Sequence, residues 1–258
     1  MFEKIKCFIL DMDGTIYLGN ELFPFTKDFL KKVEDTGREY YFFTNNSSKS
    51  QQAYIEKLGK LGIQIKKDQM MTSSHVIVKY LKEHYEGKSI YVLGTPSLIQ
   101  EFQYFDMNLT EEDPDIVVLG FDTTLTYEKL SKACHYIRNG CIYFGINPDW
   151  NCPMEGGAFI PDCGSIAKLI EASTGRFPEF FGKPSKHTLD YIIQETGYEP
   201  DEIAIVGDRL YTDIAVADQS DVMSILVLSG ESTREDVKTS DVKPNVILED
   251  LSEITKML

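Results

Sequence analysis

Positive charge is scarce in this chain of 258 residues: 26 Lys and Arg stand against 41 Asp and Glu, a formal net charge of −15. That balance argues against nucleic acid as a partner, because phosphate backbones draw Lys and Arg patches. It leaves room for a small anionic ligand, provided a local cation offsets the global field. Long apolar runs are lacking as well. The N-terminal run is only Cys7-Phe8-Ile9-Leu10 and stops at Asp11, whereas a membrane span needs about 18–20 residues. Neither a signal peptide nor a membrane partner is expected. The five cysteines (Cys7, Cys134, Cys141, Cys152 and Cys163) are odd in number and show no C-x-x-C spacing. They read as reduced thiols in a cytoplasmic protein. No G-x-G-x-x-G follows a strand-like run, and Gly87-Lys88-Ser89 has Lys82 where a Walker A loop needs its first glycine. There is no G-x-S-x-G elbow, and His75, His84, His135 and His187 lack metal-ligand spacing.

What is present is a regular alternation. Short runs of bulky apolar residues recur at Cys7–Leu10, Tyr40–Phe43, Ile90–Leu93, Ile116–Leu119, Cys141–Phe144, Ile203–Val206 and Ile225–Leu228. Continuous runs of this kind suit strands buried on both faces, as in a parallel sheet. Between them the spacing is helical: Phe25, Phe29, Leu30 and Val33; Tyr54, Ile55, Leu58 and Leu61; Leu130, Ala133, Cys134 and Ile137; Leu189, Ile192 and Ile193. The expected class is α/β with right-handed crossovers.

Chemistry concentrates where these runs end. Asp11 and Asp13 follow the first run directly, and Gly14 can take the positive φ of a tight turn. Thr44, Asn45 and Asn46 follow the second run, Gly207-Asp208 follows a later one, and Asp213 comes five residues on. Lys183 follows the aromatic pair Phe180-Phe181 and Gly182. Ligand sites in open α/β sheets lie outside the carboxyl ends of the strands. Each residue also has a plainer reading: Asp13-Gly14 as a turn, Thr44 as a helix cap, Lys183 as a solvated surface charge, Asp213 as a helix-dipole residue. Gathered at one sheet edge, however, the carboxylates would repel strongly. A pair about 4 Å apart costs about 1 kcal/mol in bulk water and about 4 kcal/mol at an effective dielectric constant of about 20. A hard cation is the direct remedy, and an all-oxygen donor set that also receives phosphate points to Mg²⁺.

These motifs resemble those of the haloacid dehalogenase (HAD) superfamily of phosphohydrolases. Asp11-Met12-Asp13-Gly14-Thr15 is similar to its first motif, Thr44 to its second, Lys183 to its third, and Gly207-Asp208 through Asp213 to its fourth. The Thr-Asn-Asn-Ser and Gly-Lys-Pro-Ser segments, with Asn147-Pro148-Asp149, resemble subfamily IIA, the NagD-type or 4-nitrophenylphosphatase-type branch. The resemblance implies a Rossmann-like core with a parallel sheet at residues 1–76 and 179–258, interrupted by an inserted α/β cap of the C2 type at 77–178.

The resemblance further implies a Mg²⁺-dependent phosphomonoester hydrolase acting on a small phosphorylated metabolite through an aspartyl-phosphate. Asp11 is then the nucleophile and Asp13 the general acid and base. Mg²⁺ falls to Asp11, the Asp13 carbonyl and Asp208, with Asp213 supporting them, while Thr44, the Asn45 amide and Lys183 bind phosphate oxygens. Asn147, Asp149 and Trp150 are candidates for cap specificity. Trp150 also reads, and more readily, as a cap-core aromatic, and Asn147 and Asp149 as turn residues. Two other readings stay open at this point: a phosphotransferase or phosphomutase on the same scaffold, and a receiver-like module that holds phosphate on an aspartate. The oligomeric state also stays open, a homo-oligomer included.

Overall fold

The computed structural model describes residues 2–154 and 157–258. In chain order the strands are β1 (Cys7–Leu10), β2 (Tyr17–Leu18), β3 (Glu21–Leu22), β4 (Glu39–Thr44), β5 (Met70–Thr72), β6 (Ile90–Leu93), β7 (Ile116–Leu119), β8 (Ile142–Gly145), β9 (Asn151–Pro153), β10 (Phe159–Pro161), β11 (Glu179–Phe180), β12 (Ile203–Gly207), β13 (Met223–Val227) and β14 (Val246–Leu248). Each apolar run read as a strand forms one. By internal contacts the chain divides into two compact units. The first comprises Met1–Thr44, Ile55–Met71 and Lys183–Leu258, and the second comprises Asn45–Tyr54 and Thr72–Gly182.

The first unit is built on a sheet of order β14-β13-β12-β1-β4-β5. β1 pairs in parallel with β4 and with β12, β12 with β13, and β13 with β14. The chain therefore leaves β1 in one direction, through β4 to β5, and returns on the other side at β12. The order reverses between β1 and β12, which is where an open parallel sheet forms its ligand crevice. Register sets what emerges there. Leu10 lies opposite both Val206 and Phe42, and the Asp11 N–H still donates to the Val206 carbonyl at 2.9 Å.

All residues of β1 and β12 are buried, as expected of strands covered on both faces. Helix Thr26–Asp35 buries Phe29, Leu30 and Val33. The Phe29 ring meets Phe8 of β1 edge-on at 5.7 Å, and full burial of one such side chain is worth about 1.5–3 kcal/mol. Phe25, read from spacing as part of that helical face, instead precedes the helix and stacks on Phe23 at 5.2 Å.

The second unit has its own parallel sheet, of order β11-β8-β7-β6. Helices Tyr127–Arg138 and Cys163–Thr174 supply Ile137, Cys163, Ile166 and Ile170 to a core with Leu93, Val117 and Leu119. A hairpin of β9 and β10 accompanies it. Burial pushes the Cys163 thiol well above its ordinary pKa, so this sulfur serves the core as a small apolar group. No helix among the described residues is long and apolar enough to cross a membrane.

Candidate active site

The crevice between β1 and β12 in the first unit gathers the acidic residues. Asp11 is the first residue beyond β1 and Asp208 the first beyond β12. Asp213 sits in a π-helical turn, Leu210–Ile214, whose wider spacing returns its side chain toward the strand end. One carboxylate oxygen from each of Asp11, Asp208 and Asp213 lies within 4.8 Å of the others. Lys183 is 2% exposed, which rules out the surface-charge reading. Its Nζ donates to Asp11 Oδ1 at 2.6 Å, to Asp213 Oδ1 at 2.5 Å and to the Phe43 carbonyl at 3.4 Å. It also stands over the Phe43 ring, 5.4 Å from the centroid. Thr44 closes β4 next in sequence and is buried.

The electrostatics follow from burial and crowding. Burial first, and then the Asp213 charge, pushes the Asp11 carboxyl up to about 6, although Lys183 and Arg209 pull it down. Burial, Asp11 and Asp213 likewise raise Asp208 well above the usual carboxylate range. Burial opposes the Lys183 ammonium, yet Asp11 and Asp213 outweigh it and hold its pKa above the ordinary lysine value. Asp11 and Asp213 thus share a buried ammonium.

Both oxygens of Asp213 are engaged, Oδ1 by Lys183 and Oδ2 by the Arg209 N–H at 3.1 Å. Asp208 differs: its Oδ2 accepts from the Glu231 N–H at 2.7 Å, while its buried Oδ1 has no hydrogen-bond partner. A buried carboxylate oxygen left without a donor is costly. The all-oxygen donor set, the excess acidic charge and this orphaned atom together fit a hard divalent cation. Asp13 lies on the turn beyond Asp11, bridged to Tyr17, with the Gly14 N–H donating to the Tyr17 carbonyl at 2.8 Å. Gly14 has φ +89°, and a Cβ there would stand 2.5 Å from Asp208 Oδ2. Glycine is required at this position on both counts.

The loop beyond β13 was missed as part of the site. Ser229 Oγ donates to the Gly14 carbonyl at 2.7 Å, and the Ser232 N–H donates to the Asp208 carbonyl at 3.1 Å. Its residues are ordinary loop types, Ser-Gly-Glu-Ser. The one available signal is position, because they follow an apolar strand as Asp11 and Asp208 do.

The remaining candidates belong to the second unit. Asn45 is buried and its Nδ2 donates to Asp149 Oδ2 at 2.9 Å. Asn147 Nδ2 donates to the same oxygen at 2.9 Å and to Asp162 Oδ1 at 2.9 Å, and Asn147 Oδ1 accepts from Ser47 Oγ at 2.7 Å. Asn147 and Asp149 therefore form a buried polar network with the segment after β4. Trp150 is 49% exposed, so it is not a core aromatic of this unit.

Comparison with known proteins agrees with this geometry. The family described as haloacid dehalogenase-like hydrolase matches residues 8–108, and a second HAD-hydrolase-like family matches residues 180–254. An acid sugar phosphatase of Staphylococcus aureus is 34% identical over 252 residues, covering 97% of each chain. The crystal structure of a 4-nitrophenylphosphatase from Thermotoga maritima superposes with a TM-score of 0.95 at 42% identity, covering 99% of this chain and 98% of that one. NagD from Escherichia coli K-12 follows the same fold with a TM-score of 0.88 at 30% identity, covering 96% of this chain and 98% of that one. With the crevice between β1 and β12 lined as described, the chain belongs to the haloacid dehalogenase-like hydrolases, as a subfamily IIA phosphatase of the NagD type.

Proposed function

We propose that this chain hydrolyses small phosphomonoesters, sugar phosphates and aryl phosphates among them, through a covalent phosphate on Asp11. The observation that carries this reading is the cluster of half-buried Asp11 with buried Asp208 and Asp213, the first and last of them paired with Lys183, at the strand ends where the sheet order reverses. The relatives named for acid sugar phosphatase and 4-nitrophenylphosphatase activity support the substrate class.

In this reading Asp11 attacks phosphorus in line, and the phosphorus–oxygen bond to the leaving group breaks. Asp13 gives its proton to the departing alkoxide. It then takes a proton from the water that cleaves the aspartyl-phosphate, which releases inorganic phosphate and restores Asp11. Lys183 and Thr44, with the neighbouring Asn45 amide, bind the equatorial phosphate oxygens, where charge must be held through the transfer. Asp11, the main-chain carbonyl of Asp13 and Asp208 would hold Mg²⁺. Asp213, with both oxygens engaged, holds Lys183 in place instead. When bound, the ion supplies charge neutralisation for the phosphoryl group. The first unit is then the hydrolase core of a cytoplasmic enzyme, and the stretch of the second unit over about residues 77–178 its inserted cap. Trp150, exposed beside the buried Asn147 and Asp149, is a candidate contact for the leaving group.

The test is Asp11→Asn assayed on 4-nitrophenyl phosphate with Mg²⁺. Turnover should fall by about 10⁴-fold or more, as for a nucleophile that acts within a unit, with the circular dichroism spectrum unchanged. Hydrolysis at the wild-type rate would overturn the assignment.

A further inference from the structure

The loop beyond β13 does more than leave the sheet. Asp208 stands between two glycines. The Cα of Gly14 faces its carboxylate from one side, and the Cα of Gly230 faces it from another, so that a Cβ on either residue would overlap Asp208 Oδ2. These two walls come from segments more than two hundred residues apart in sequence. Ser229 joins them: its Oγ donates to the Gly14 carbonyl at 2.7 Å. The next residues hold Asp208 itself, the Glu231 N–H on Oδ2 at 2.7 Å and the Ser232 N–H on the main-chain carbonyl at 3.1 Å. Ser232 Oγ then accepts from the Leu210 N–H at 3.2 Å, which ties the loop to the turn that carries Asp213.

We propose that Ser229 is a positioning residue that clasps the Gly14 turn to the β13 loop and so sets the slot in which Asp208 presents its unpartnered Oδ1 to a divalent cation. This rests on the reading of Asp208 as a cation ligand. Two features give the clasp its leverage. The carboxylate has one oxygen pinned by a main-chain donor and the other unpartnered, so its rotation decides where Oδ1 points. The Gly14 carbonyl also lies one peptide beyond the Asp13 carbonyl, the other proposed oxygen donor. A single hydroxyl therefore restrains two donors from distant parts of the chain. Partners behind a metal ligand typically change affinity by about 10–100-fold when removed.

The experiment titrates metal-free protein with Mn²⁺ and reads the free ion by electron paramagnetic resonance, with no turnover involved. Wild type should bind one ion that Asp208→Asn does not. Ser229→Ala should weaken that site about tenfold or more, with an unfolding midpoint in EDTA close to wild type, and Ser229→Thr should restore the affinity by restoring the hydroxyl. Gly230→Ala, which crowds the same carboxylate without touching the hydroxyl, should weaken it too. Wild-type affinity in Ser229→Ala, or a loss that Ser229→Thr does not repair, overturns the clasp while leaving the cation site standing. No Asp208-dependent ion in wild type overturns the cation reading, and the clasp with it.

Discussion

The ammonium of Lys183 lies 2.6 Å from Asp11 Oδ1, and the lysine side chain is only 3% exposed. A cation this deeply buried is held by its carboxylates, and they by it. Removing one partner of a buried pair costs about 3–5 kcal/mol, because the other charge is left uncompensated. Lys183→Met should lose stability of that order in urea unfolding at neutral pH with EDTA present. The deficit should shrink at pH 5, where the stranded acids can take up protons. Turnover should fall by about 10²–10³-fold through loss of a charge aimed at the phosphoryl oxygens. An unfolding curve that matches wild type at neutral pH would show that the pair contributes nothing.

The raised carboxyls make a second prediction, for the metal-free protein. Asp11 is pushed up to about 6 from 3.8, so between those values the folded state binds more protons than the unfolded one. Stability from this group is therefore greatest at low pH and falls as pH rises through about 4 to 6, levelling off above. Asp208 is raised by the same causes and adds in the same direction. Thermal unfolding in EDTA across that range should show this falling component, and Asp11→Asn should reduce it. Cations compete with protons for these oxygens, so stabilisation by added Mg²⁺ should grow with pH over the same window. An identical pH slope in wild type and Asp11→Asn would refute the assignment.

Two glycines with similar backbone separate strain from crowding. Gly14 has φ +89° and faces Asp208, whereas Gly37 has φ +72° and nothing within 4 Å of a Cβ. Gly37→Ala should cost only the left-handed backbone penalty, about 1–2 kcal/mol, and keep full activity. Gly14→Ala should cost a further 1–3 kcal/mol or so for overpacking, and it should lose turnover because Asp208 must move. Equal stability and activity in the two variants would place Gly14 outside the site.

Asp149 and Trp150 are neighbours in sequence with opposite expected effects. Asp149→Ala removes the Oδ2 acceptor shared by the buried amides of Asn45 and Asn147, although Asn147 keeps its bond to Asp162; each buried donor that loses its acceptor costs about 1–3 kcal/mol. Trp150→Ala touches a half-exposed side chain and should change stability by no more than about 0.5 kcal/mol. If its ring stacks on leaving groups, that variant should raise KM for 4-nitrophenyl phosphate more than for an alkyl phosphate. Equal KM changes on the two substrates would remove Trp150 from the specificity candidates.

Much of the fold was legible because the strongest signals are the most buried ones. β1, β6, β7 and β12 are continuous apolar segments, and every residue in them is buried. β5, β11 and β14 are two or three residues long, too short for any pattern to rise above the surrounding chain. Strand ends likewise flagged Asp11, Thr44 and Asp208. The bond between Asn45 and Asp149 within the second unit could not be read from spacing, because the two residues are far apart in sequence and each is of a type common in ordinary turns.

The linear order of residues was enough to place acids at the crevice, since Asp11 and Asp208 directly follow buried parallel strands. Only folding decided how those groups are partnered. Lys183 reads as a surface charge until burial between Asp11 and Asp213 changes its character, and that Asp208 Oδ2 is held by the Glu231 N–H while Oδ1 is buried without a hydrogen-bond partner appears only in the folded chain. Local sequence controls local geometry through backbone sterics and apolar burial, whereas the proton affinity and orientation of a carboxylate depend on which distant dipoles and charges the packed chain places around it.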